Sequence, residues 1–189
     1  IGPNDLLDAS GRGHADTVAA LIAAGADLKT EDEDGNRALA RAAIAGKVAV
    51  VKVLISAGAP LDAENKVGET ALILASSKGH TEVVEVLLAR GAATKPTARD
   101  GATALIRALR TCHSAAAMPL IAKLSTADAT SQGDVAPLAI AASSCSGEAV
   151  AALLSRGAPI NATDAQARTA LWHAADRGNA AAVMALTNA

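Results

Sequence analysis

The sequence is almost free of aromatic residues, with no phenylalanine, no tyrosine and a single tryptophan, Trp172. A core built on large rings is therefore excluded, and the 50 alanines predict an interior in which small side chains bring backbones close together. No apolar run is long enough to span a bilayer, so we expect no membrane insertion. Many thin packed layers fit this composition better than one thick core.

A strong charge of one sign is also lacking, because the net charge is −2. Residues 1–69 contain 11 acids and 7 bases, and residues 70–189 contain 8 acids and 10 bases. Neither part has the basic excess of a phosphate-binding surface, and no series of aromatic residues is available to stack on bases. We therefore expect no nucleic-acid partner.

Residues for catalysis, metals or cofactors are equally sparse. The two cysteines, Cys112 and Cys145, are too few for a disulfide-rich scaffold and fit no paired zinc spacing. His113 follows Cys112, but adjacent residues on a turn usually point apart and no orienting carboxylate is identifiable. His14 and His80 share the repeat position of His113 and are better suited to bracing a turn than to binding metal. We expect no catalytic residue, no metal and no cofactor.

The dominant feature that is present is an internal repeat of 33 residues. Four positions recur in six copies and stay apolar in each, which indicates burial. They are Leu6, Leu39, Leu72, Leu105, Leu138 and Leu171; Ala9, Ala42, Ala75, Ala108, Ala141 and Ala174; Val18, Val51, Val84, Ala117, Val150 and Val183; and Leu21, Leu54, Leu87, Leu120, Leu153 and Leu186.

Within one copy the apolar positions have helical spacing twice. In the third copy, "TALILASS" and "TEVVEVLLARGA" each place their apolar residues on one helical face, with Gly79 between them. Glycine follows the second helix at Gly25, Gly58, Gly91 and Gly157, where a left-handed cap favours it. Each copy is therefore predicted to be a helix, a tight turn and a second helix, joined to the next copy by a short polar turn.

These segments resemble the ankyrin-repeat family. The stretches "DGNRALARAAIAGKVAVVKVLISAGAPLDA", "VGETALILASSKGHTEVVEVLLARGA" and "DGATALIRA" are similar to its repeat pattern, although the family's T-P-L-H proline survives only as Pro137. The resemblance implies an all-α repeat solenoid of stacked helix-turn-helix units with short β-turn or hairpin connections. We expect one ankyrin-repeat domain over residues 1–189, with repeats at approximately 1–33, 34–66, 67–99, 100–132, 133–165 and 166–189.

The two cysteines occupy one position of neighbouring copies, the turn between helices. The other copies have glycine there, at Gly13, Gly46, Gly79 and Gly178. Replacement of glycine by cysteine in two neighbouring copies favours a disulfide between Cys112 and Cys145. The distance argues against it, because packed helices lie about 8 to 10 Å apart and a disulfide needs Cα atoms within about 7 Å. The bond and a pair of inert free thiols therefore both stay open.

Copy four departs from the pattern. Pro119 stands in mid-helix and predicts a kinked second helix or a delayed start. Leu124 replaces the capping glycine, and the turn glycine moves to Gly133 while Asp134 fills the usual glycine position. Harmless drift in a tolerant repeat array and a reshaped partner site are the alternatives. Trp172, in a position that is apolar throughout, is predicted to pack in the core or at the end of the array.

The resemblance implies that the partner is a protein, held in a concave groove formed by the turns and the exposed side of the first helices. Charged residues mapped to this groove are acidic near its start and basic toward its end, a pattern that would orient a partner. Taken singly, each is equally well an ordinary solvated charge. They are Glu31, Asp32, Glu33, Asp34, Arg37, Arg41, Glu64, Lys66, Glu69, Lys78, Arg99, Arg107, Arg110, Arg168 and Arg177.

Two classes of function follow. The first is a non-catalytic binding module, and a bacterial inhibitor or immunity protein that neutralises or stabilises an enzyme is a concrete version of it. The alternative is a redox-linked protective protein that uses Cys112 and Cys145. The chain begins at Ile1, so we expect upstream residues to be missing. Alanine richness and paired cysteines favour a periplasmic or secreted bacterial protein over a cytoplasmic one, and we expect the free protein to be a monomer.

Overall fold

The protein is helical throughout the part that the structure describes, a computed structural model covering residues 2, 4–124, 136–144 and 147–189. These residues form twelve α-helices, and their only β pairing is an isolated bridge between Thr163 and Thr169. None of the described helices has the length and apolar character needed to cross a membrane. The chain forms two compact units, Ile1–Ala104 and Leu105–Ala189, which are described separately.

The first unit contains three helix pairs. Their bounds are α1 Asp5–Arg12, α2 Ala15–Ala23, α3 Ala38–Ile44, α4 Val48–Ser56, α5 Ala71–Lys78 and α6 Thr81–Ala89. In each copy the first helix packs on the second, α3 also packs on α1 and α5, and α4 packs on α2 and α6. The unit is therefore two layers of helices in repeat order, which confirms the predicted helix-turn-helix stacking.

The second unit contains the remaining helices, and α7 begins at the last residue of the first unit. Their bounds are α7 Ala104–Arg110, α8 Ser114–Lys123, α9 Pro137–Ser144, α10 Gly147–Ser155, α11 Ala170–Asp176 and α12 Ala180–Thr187. Helix α9 packs on α10 and α11, α12 packs on α10 and α11, and α8 packs on α10. Residues 125–135, which include Gly133, Asp134 and the expected start of the fifth repeat, lie outside the described residues.

The four apolar positions that recur in each copy, called ladders below, form the core, except in the outermost copies. All six ladder alanines, from Ala9 to Ala174, are buried. By contrast, Leu21 of copy one and Val183 of copy six are only half-buried, and Leu171 is 42 % exposed. Trp172 is 44 % exposed, so of the two places predicted for it the core is wrong, and packing at the end of the array stays a prediction. The physical reason is that, among the described residues, α2, α11 and α12 each have a helix of their own layer packed on one side only.

Glycines follow the second helices as predicted, and the turn between α7 and α8 has Cys112 where other copies have glycine. The residue after the second-helix cap is left-handed at Gly25, Gly58 and Gly91, with φ of 88°, 86° and 88°. Cys112 takes the same left-handed region at φ 56° in the turn between α7 and α8, where Gly79 has φ 74° between α5 and α6. An L-residue pays about 1 to 2 kcal/mol for this conformation. Cys112 therefore keeps the turn but strains it.

Copy four keeps its second helix despite the proline. Helix α8 runs from Ser114 through Pro119 to Lys123, and it begins directly after His113, as α6 begins after His80. Of the two outcomes predicted from Pro119, the delayed start is therefore wrong, and the kink stays a prediction. The helix ends on Leu124 in an extended conformation, φ −64° and ψ 135°, instead of continuing into a left-handed glycine.

Candidate partner-binding groove

The turns between copies are built around one repeated side chain. Asp32 Oδ1 accepts hydrogen bonds from the backbone amides of Asp34 and Asn36, at 3.0 and 2.8 Å. Asn65, 33 residues later, accepts from Val67 and Glu69 at 3.1 and 2.8 Å. Such side-chain bonds to nearby amides hold a turn in the way a backbone bond does. The shape of these two turns is thus fixed by an Asp or Asn at one repeat position, where the next copy has Ala98.

Successive turns in the first unit are tied to each other. The Lys66 amide donates to the Asp34 carbonyl at 3.0 Å, and Lys66 Nζ donates to the Glu33 carbonyl at 2.6 Å. The Asn65 side chain donates to Asn36 Oδ1 at 3.0 Å. A Cβ at Gly35 would come within 2.9 Å of the Lys66 nitrogen. Glycine is therefore needed at position 35 for close approach as well as for its left-handed φ of 80°.

Beside these two turns lies a groove of about 440 Å³, and "the groove" below means this one. The turns contribute Asp34, Asn36, Asn65, Lys66, Val67 and Glu69, and the first helices contribute Ile44, Leu74, Ser77 and Lys78. Val67 is 49 % exposed and presents its aliphatic side chain at the tip of its turn. The groove therefore combines an apolar surface with two acidic and two basic side chains.

Four of the predicted site residues line the groove, namely Asp34, Lys66, Glu69 and Lys78. The rest of the acidic run has separate roles. Glu31 is paired with Arg37 at 2.9 Å, and Asp32, besides holding its turn, lies 3.4 Å from Arg41. Glu33 has an exposed side chain next to the groove. The run of residues 31–34 is therefore two internally bonded acids and two acids that face solvent.

The other predicted site residues do not line the groove. Glu64 and Arg99 are exposed in the first unit, and the Arg99 amide donates to the Val67 carbonyl at 2.9 Å. The remaining arginines, Arg107, Arg110, Arg168 and Arg177, belong to the second unit or its helix α7. Their joint action with the acidic turn stays a prediction.

The turn of copy six carries a compact charged cluster that sequence reasoning missed. Asp164 Oδ2 lies 2.8 Å from Arg168 Nη2 and 2.9 Å from His173 Nε2. The Arg168 guanidinium carbon lies 4.9 Å from the centroid of the Trp172 ring, close enough for a cation–π contact. The ring of His173 meets Trp172 edge-on at 5.2 Å.

Burial of the Asp164 carboxyl, whose side chain is only 4 % exposed, favours its neutral form and raises its pKa. Hydrogen bonds from the Arg168 side chain and amide, the Gln166 amide and the His173 ring favour the carboxylate and outweigh burial. The pKa of Asp164 therefore lies well below its ordinary value. The cluster is a structural ion network.

The histidine position braces copies, as His80 illustrates. Its Nε2 lies 2.9 Å from the Ile44 carbonyl of the preceding copy, and its ring covers Gly46. Among the described residues, no three His, Cys, Asp or Glu side chains are grouped to hold a metal ion. Cys112 is exposed, whereas Cys145 lies outside the described residues, so the disulfide between them stays a prediction.

The comparison with protein families decides the fold family. The family described as "Ankyrin repeats (3 copies)" matches residues 6–100 and, in an overlapping match, residues 43–133. Together these matches span more than half of the chain. The chain belongs to the ankyrin-repeat family. Ankyrin repeats generally serve as protein–protein interaction modules and are typically non-catalytic. No curated protein matches the sequence.

Within this ankyrin-repeat chain, the sequence signal for the missed turn residues was available. Asp32, Asn65 and Asp164 occupy one position of three copies, and a left-handed residue follows each of them three positions later. Grouping Asp32 with its acidic neighbours hid that shared position. Val67 could have been noticed as the one aliphatic residue at a turn tip, where copies two and four have Asp34 and Asp100.

Proposed function

We propose that this ankyrin-repeat protein is a non-catalytic binding module and that the groove grips a partner protein. The observation that carries the proposal is the exposed Val67 beside Leu74 in a groove that also holds Asp34, Glu69 and Lys78. Interfaces take their energy from a desolvated apolar centre and their selectivity from charges around it. The groove offers both within one unit.

The charges indicate the chemistry of the partner. Glu33 and Asp34 present exposed carboxylates at the turn tip, where a basic residue of a partner gains attraction without displacing an internal ion pair. Val67, the exposed apolar residue of the groove, then meets an aliphatic side chain of the same partner. We propose an enzyme as this partner, blocked or stabilised by the contact as an inhibitor or immunity protein would do. The bacterial and exported origin favoured by the composition stays a prediction.

The alternative redox function requires chemistry at both cysteines. Cys112 is exposed and therefore open to reagents, but its proposed mate Cys145 lies outside the described residues. Thiol titration of the native protein tests this alternative. If the two sulfurs are unreactive, or stably bonded to each other, the redox function is excluded and only the binding module remains.

Affinity capture from host extract with the full chain, followed by mass spectrometry, identifies the partner, and matched charge reversals then test the groove. Changing Glu33 and Asp34 to lysine should slow association and invert its salt dependence, because the attractive carboxylates are replaced. Changing Glu82 and Glu85 to lysine makes the same change in net charge on α6, where both side chains are exposed and lie outside the groove. This control should associate like the unmodified protein.

A second variant tests the apolar part of the groove. Val67→Asp should speed dissociation and weaken binding by about tenfold or more, as loss of a central contact does. Circular dichroism should be unchanged, because the Val67 side chain is half exposed and only its backbone joins the turns. Equal weakening by both charge pairs, or weakening by the α6 pair alone, contradicts the proposal.

A further inference from the structure

The second helices of the second unit share an apolar surface that is open to solvent. Met118 on α8 and Met184 on α12 are 38 % and 63 % exposed, and Ala151 on α10, at the same repeat position, is also exposed. Helix α10 packs on both α8 and α12, so the three helices lie side by side. Exposed or half-buried residues beside these three continue the surface, namely Ala115, Pro119, Ala152, Ala181 and Ala185. These eight residues are called the outer patch below.

The exposure of the outer patch is a property of its repeat position. Lys52 and Glu85 of the first unit occupy the position of Ala151, and both are exposed. Helix α4, which carries Lys52, is packed between α2 and α6, just as α10 is packed between α8 and α12. This position therefore faces solvent in copies that have a neighbouring copy on each side. Two copies of the first unit place a charge there, whereas the second unit places methionine and alanine.

The charges that border the outer patch are complementary to each other. Glu148 lies in the first turn of α10, and Arg156 directly follows the last residue of this helix. Lys123 is the last residue of α8, and all three side chains are exposed. Because the three helices are equivalent parts of successive copies, the acid borders one edge of the patch and both bases border the opposite edge. Ala152 lies midway between Glu148 and Arg156 in the sequence.

Other ionisable residues come close to the acidic edge along the chain. Arg110 and Asp176 end the first helices α7 and α11, and Arg177 follows α11, so these three belong to the other helix layer. His113 directly precedes α8 and is half-buried. On the described second helices themselves, the charge pattern of the patch is therefore set by Glu148, Arg156 and Lys123.

We propose that two molecules of this chain pair through the outer patch, with their α10 helices antiparallel across a two-fold axis at Ala152. Each Glu148 then meets Arg156 of the second molecule, and Lys123 lies one helix spacing from the same carboxylate. Met118 and Met184 each pack near the same residue of the second molecule, since α8 and α12 also face their own copies. A two-fold pair uses the same patch on both molecules, so association stops at the dimer.

Copy three shows why the pairing selects the second unit. Glu82 and Arg90 occupy the repeat positions of Glu148 and Arg156, so copy three has the same two charges. At the position of Ala151, however, it has the exposed Glu85. The same antiparallel pairing would bring two Glu85 carboxylates together near the axis, and like charges facing each other oppose association. The proposal is independent of the groove of the first unit and departs from the monomer expected from the sequence.

The size of the outer patch predicts a weak, reversible dimer. Helix α10 has 9 residues. Such a helix is about 13 Å long, and three helices packed about 8 to 10 Å apart give a face of about 350 Å² on each molecule. Stable interfaces bury about 1,200 Å² or more in total. Arg110 of one molecule and Lys123 of the other lie at the same edge of the pair, which weakens it further.

Sedimentation equilibrium of the full chain between about 10 μM and about 1 mM tests the proposal. The average mass should rise with concentration from that of one chain toward that of two chains and no further. Added salt should weaken the association, because the bordering ion pairs are exposed. A chain that stays monomeric up to about 1 mM, or that grows beyond two chains, overturns the proposal.

Exchange of the two charges on α10 makes the test specific. Glu148→Arg and Arg156→Glu each place like charges opposite each other at both ends of the pair, and each should weaken association at least about tenfold. A chain with both substitutions should pair like the unmodified chain, because opposite charges face each other again. An equimolar mixture of the two single variants should pair equally well, as heterodimers. If neither combination restores association, the two-fold arrangement is wrong.

Two further variants separate the outer patch from other surfaces. Glu82→Arg is the matched control for Glu148→Arg, since it makes the same change at the same repeat position of copy three, and it should pair like the unmodified chain. Ala151→Glu places in the patch the carboxylate that copy three has as Glu85, and it should weaken association at least about tenfold. Its circular dichroism should be unchanged, because the position is exposed and glutamate favours helix. Equal weakening by Glu82→Arg and Glu148→Arg, or no effect of Ala151→Glu, would exclude the outer patch as the interface.

Discussion

Copy three and copy six contain the same repeat positions in different surroundings. Leu72 and Ile73 of copy three are at most 1 % exposed, whereas Leu171 and Trp172 of copy six are 42 % and 44 % exposed. Both pairs lie at the start of a helix capped by threonine, Thr70 in one and Thr169 in the other. The local structure is therefore the same, and the difference comes from packing alone. A repeat position specifies a helix face, and a neighbouring element decides whether that face is core.

The largest expected difference between the two copies is in the cost of removing the ladder leucine. Leu72→Ala should lower the free energy of unfolding by about 2 to 5 kcal/mol, because it leaves a cavity in a fully packed site. Leu171→Ala should cost less than about 1 kcal/mol, because water already reaches the side chain. Urea unfolding followed by circular dichroism measures both values. Equal losses would mean that copy six is as tightly packed as copy three.

The turns of copies two and six should respond in opposite directions to exchange of glycine and alanine. Gly35→Ala should destabilise by about 2 kcal/mol or more, since the new Cβ meets a backbone nitrogen at 2.9 Å in addition to the left-handed strain. Ala167→Gly should stabilise by about 0.5 to 1 kcal/mol, because Ala167 holds φ 59° and glycine relieves that strain at some entropic cost. Melting temperatures of the two variants check the signs, and a destabilised Ala167→Gly would refute the strain.

The smallest expected effect is a pH dependence confined to the copy-six turn. The pKa of Asp164 is lower in the folded protein than in the unfolded chain, so the stabilisation is complete above the ordinary carboxyl pKa of about 4. It is lost as the pH falls below that value. Asp164→Asn should therefore reduce stability at neutral pH and flatten the loss in acid. Thermal melts across the acid range would contradict this if both proteins lost stability in parallel.

Much of this fold follows from the sequence, because the 33-residue repeat identifies equivalent positions and the spacing of apolar residues independently identifies the helices. The ladder alanines and the left-handed glycines at positions 25, 58 and 91 were predicted and are confirmed. Burial of Trp172 in the core, one of the two places predicted for it, is wrong because an apolar position does not reveal whether another element covers it. The delayed start of α8, one of the two outcomes predicted from Pro119, is wrong because Pro119 is the sixth residue of the helix and the five residues before it form the first turn without it.

The candidate site was less predictable than the fold. The sequence prediction placed residues 31–34 in one site because all four are acidic. In the structure, the Asp32 carboxylate is hydrogen-bonded within its own turn and Glu31 is paired with Arg37. Asn65 and Val67 were overlooked because neither is charged, yet one shapes the groove and the other supplies its exposed apolar surface. Which side chains face a groove depends on hydrogen bonds within each turn, and a list of charges does not contain that information.

The most direct test of the binding proposal is amide hydrogen exchange of the full chain with and without its captured partner. The proposal predicts slower exchange at the turn of residues 65–69 and at Asp34, with no change on the outer side of α6 around Glu82 and Glu85. Protection confined to α6, with the exchange of the two turns unaltered, would contradict the assignment of the groove as the partner site.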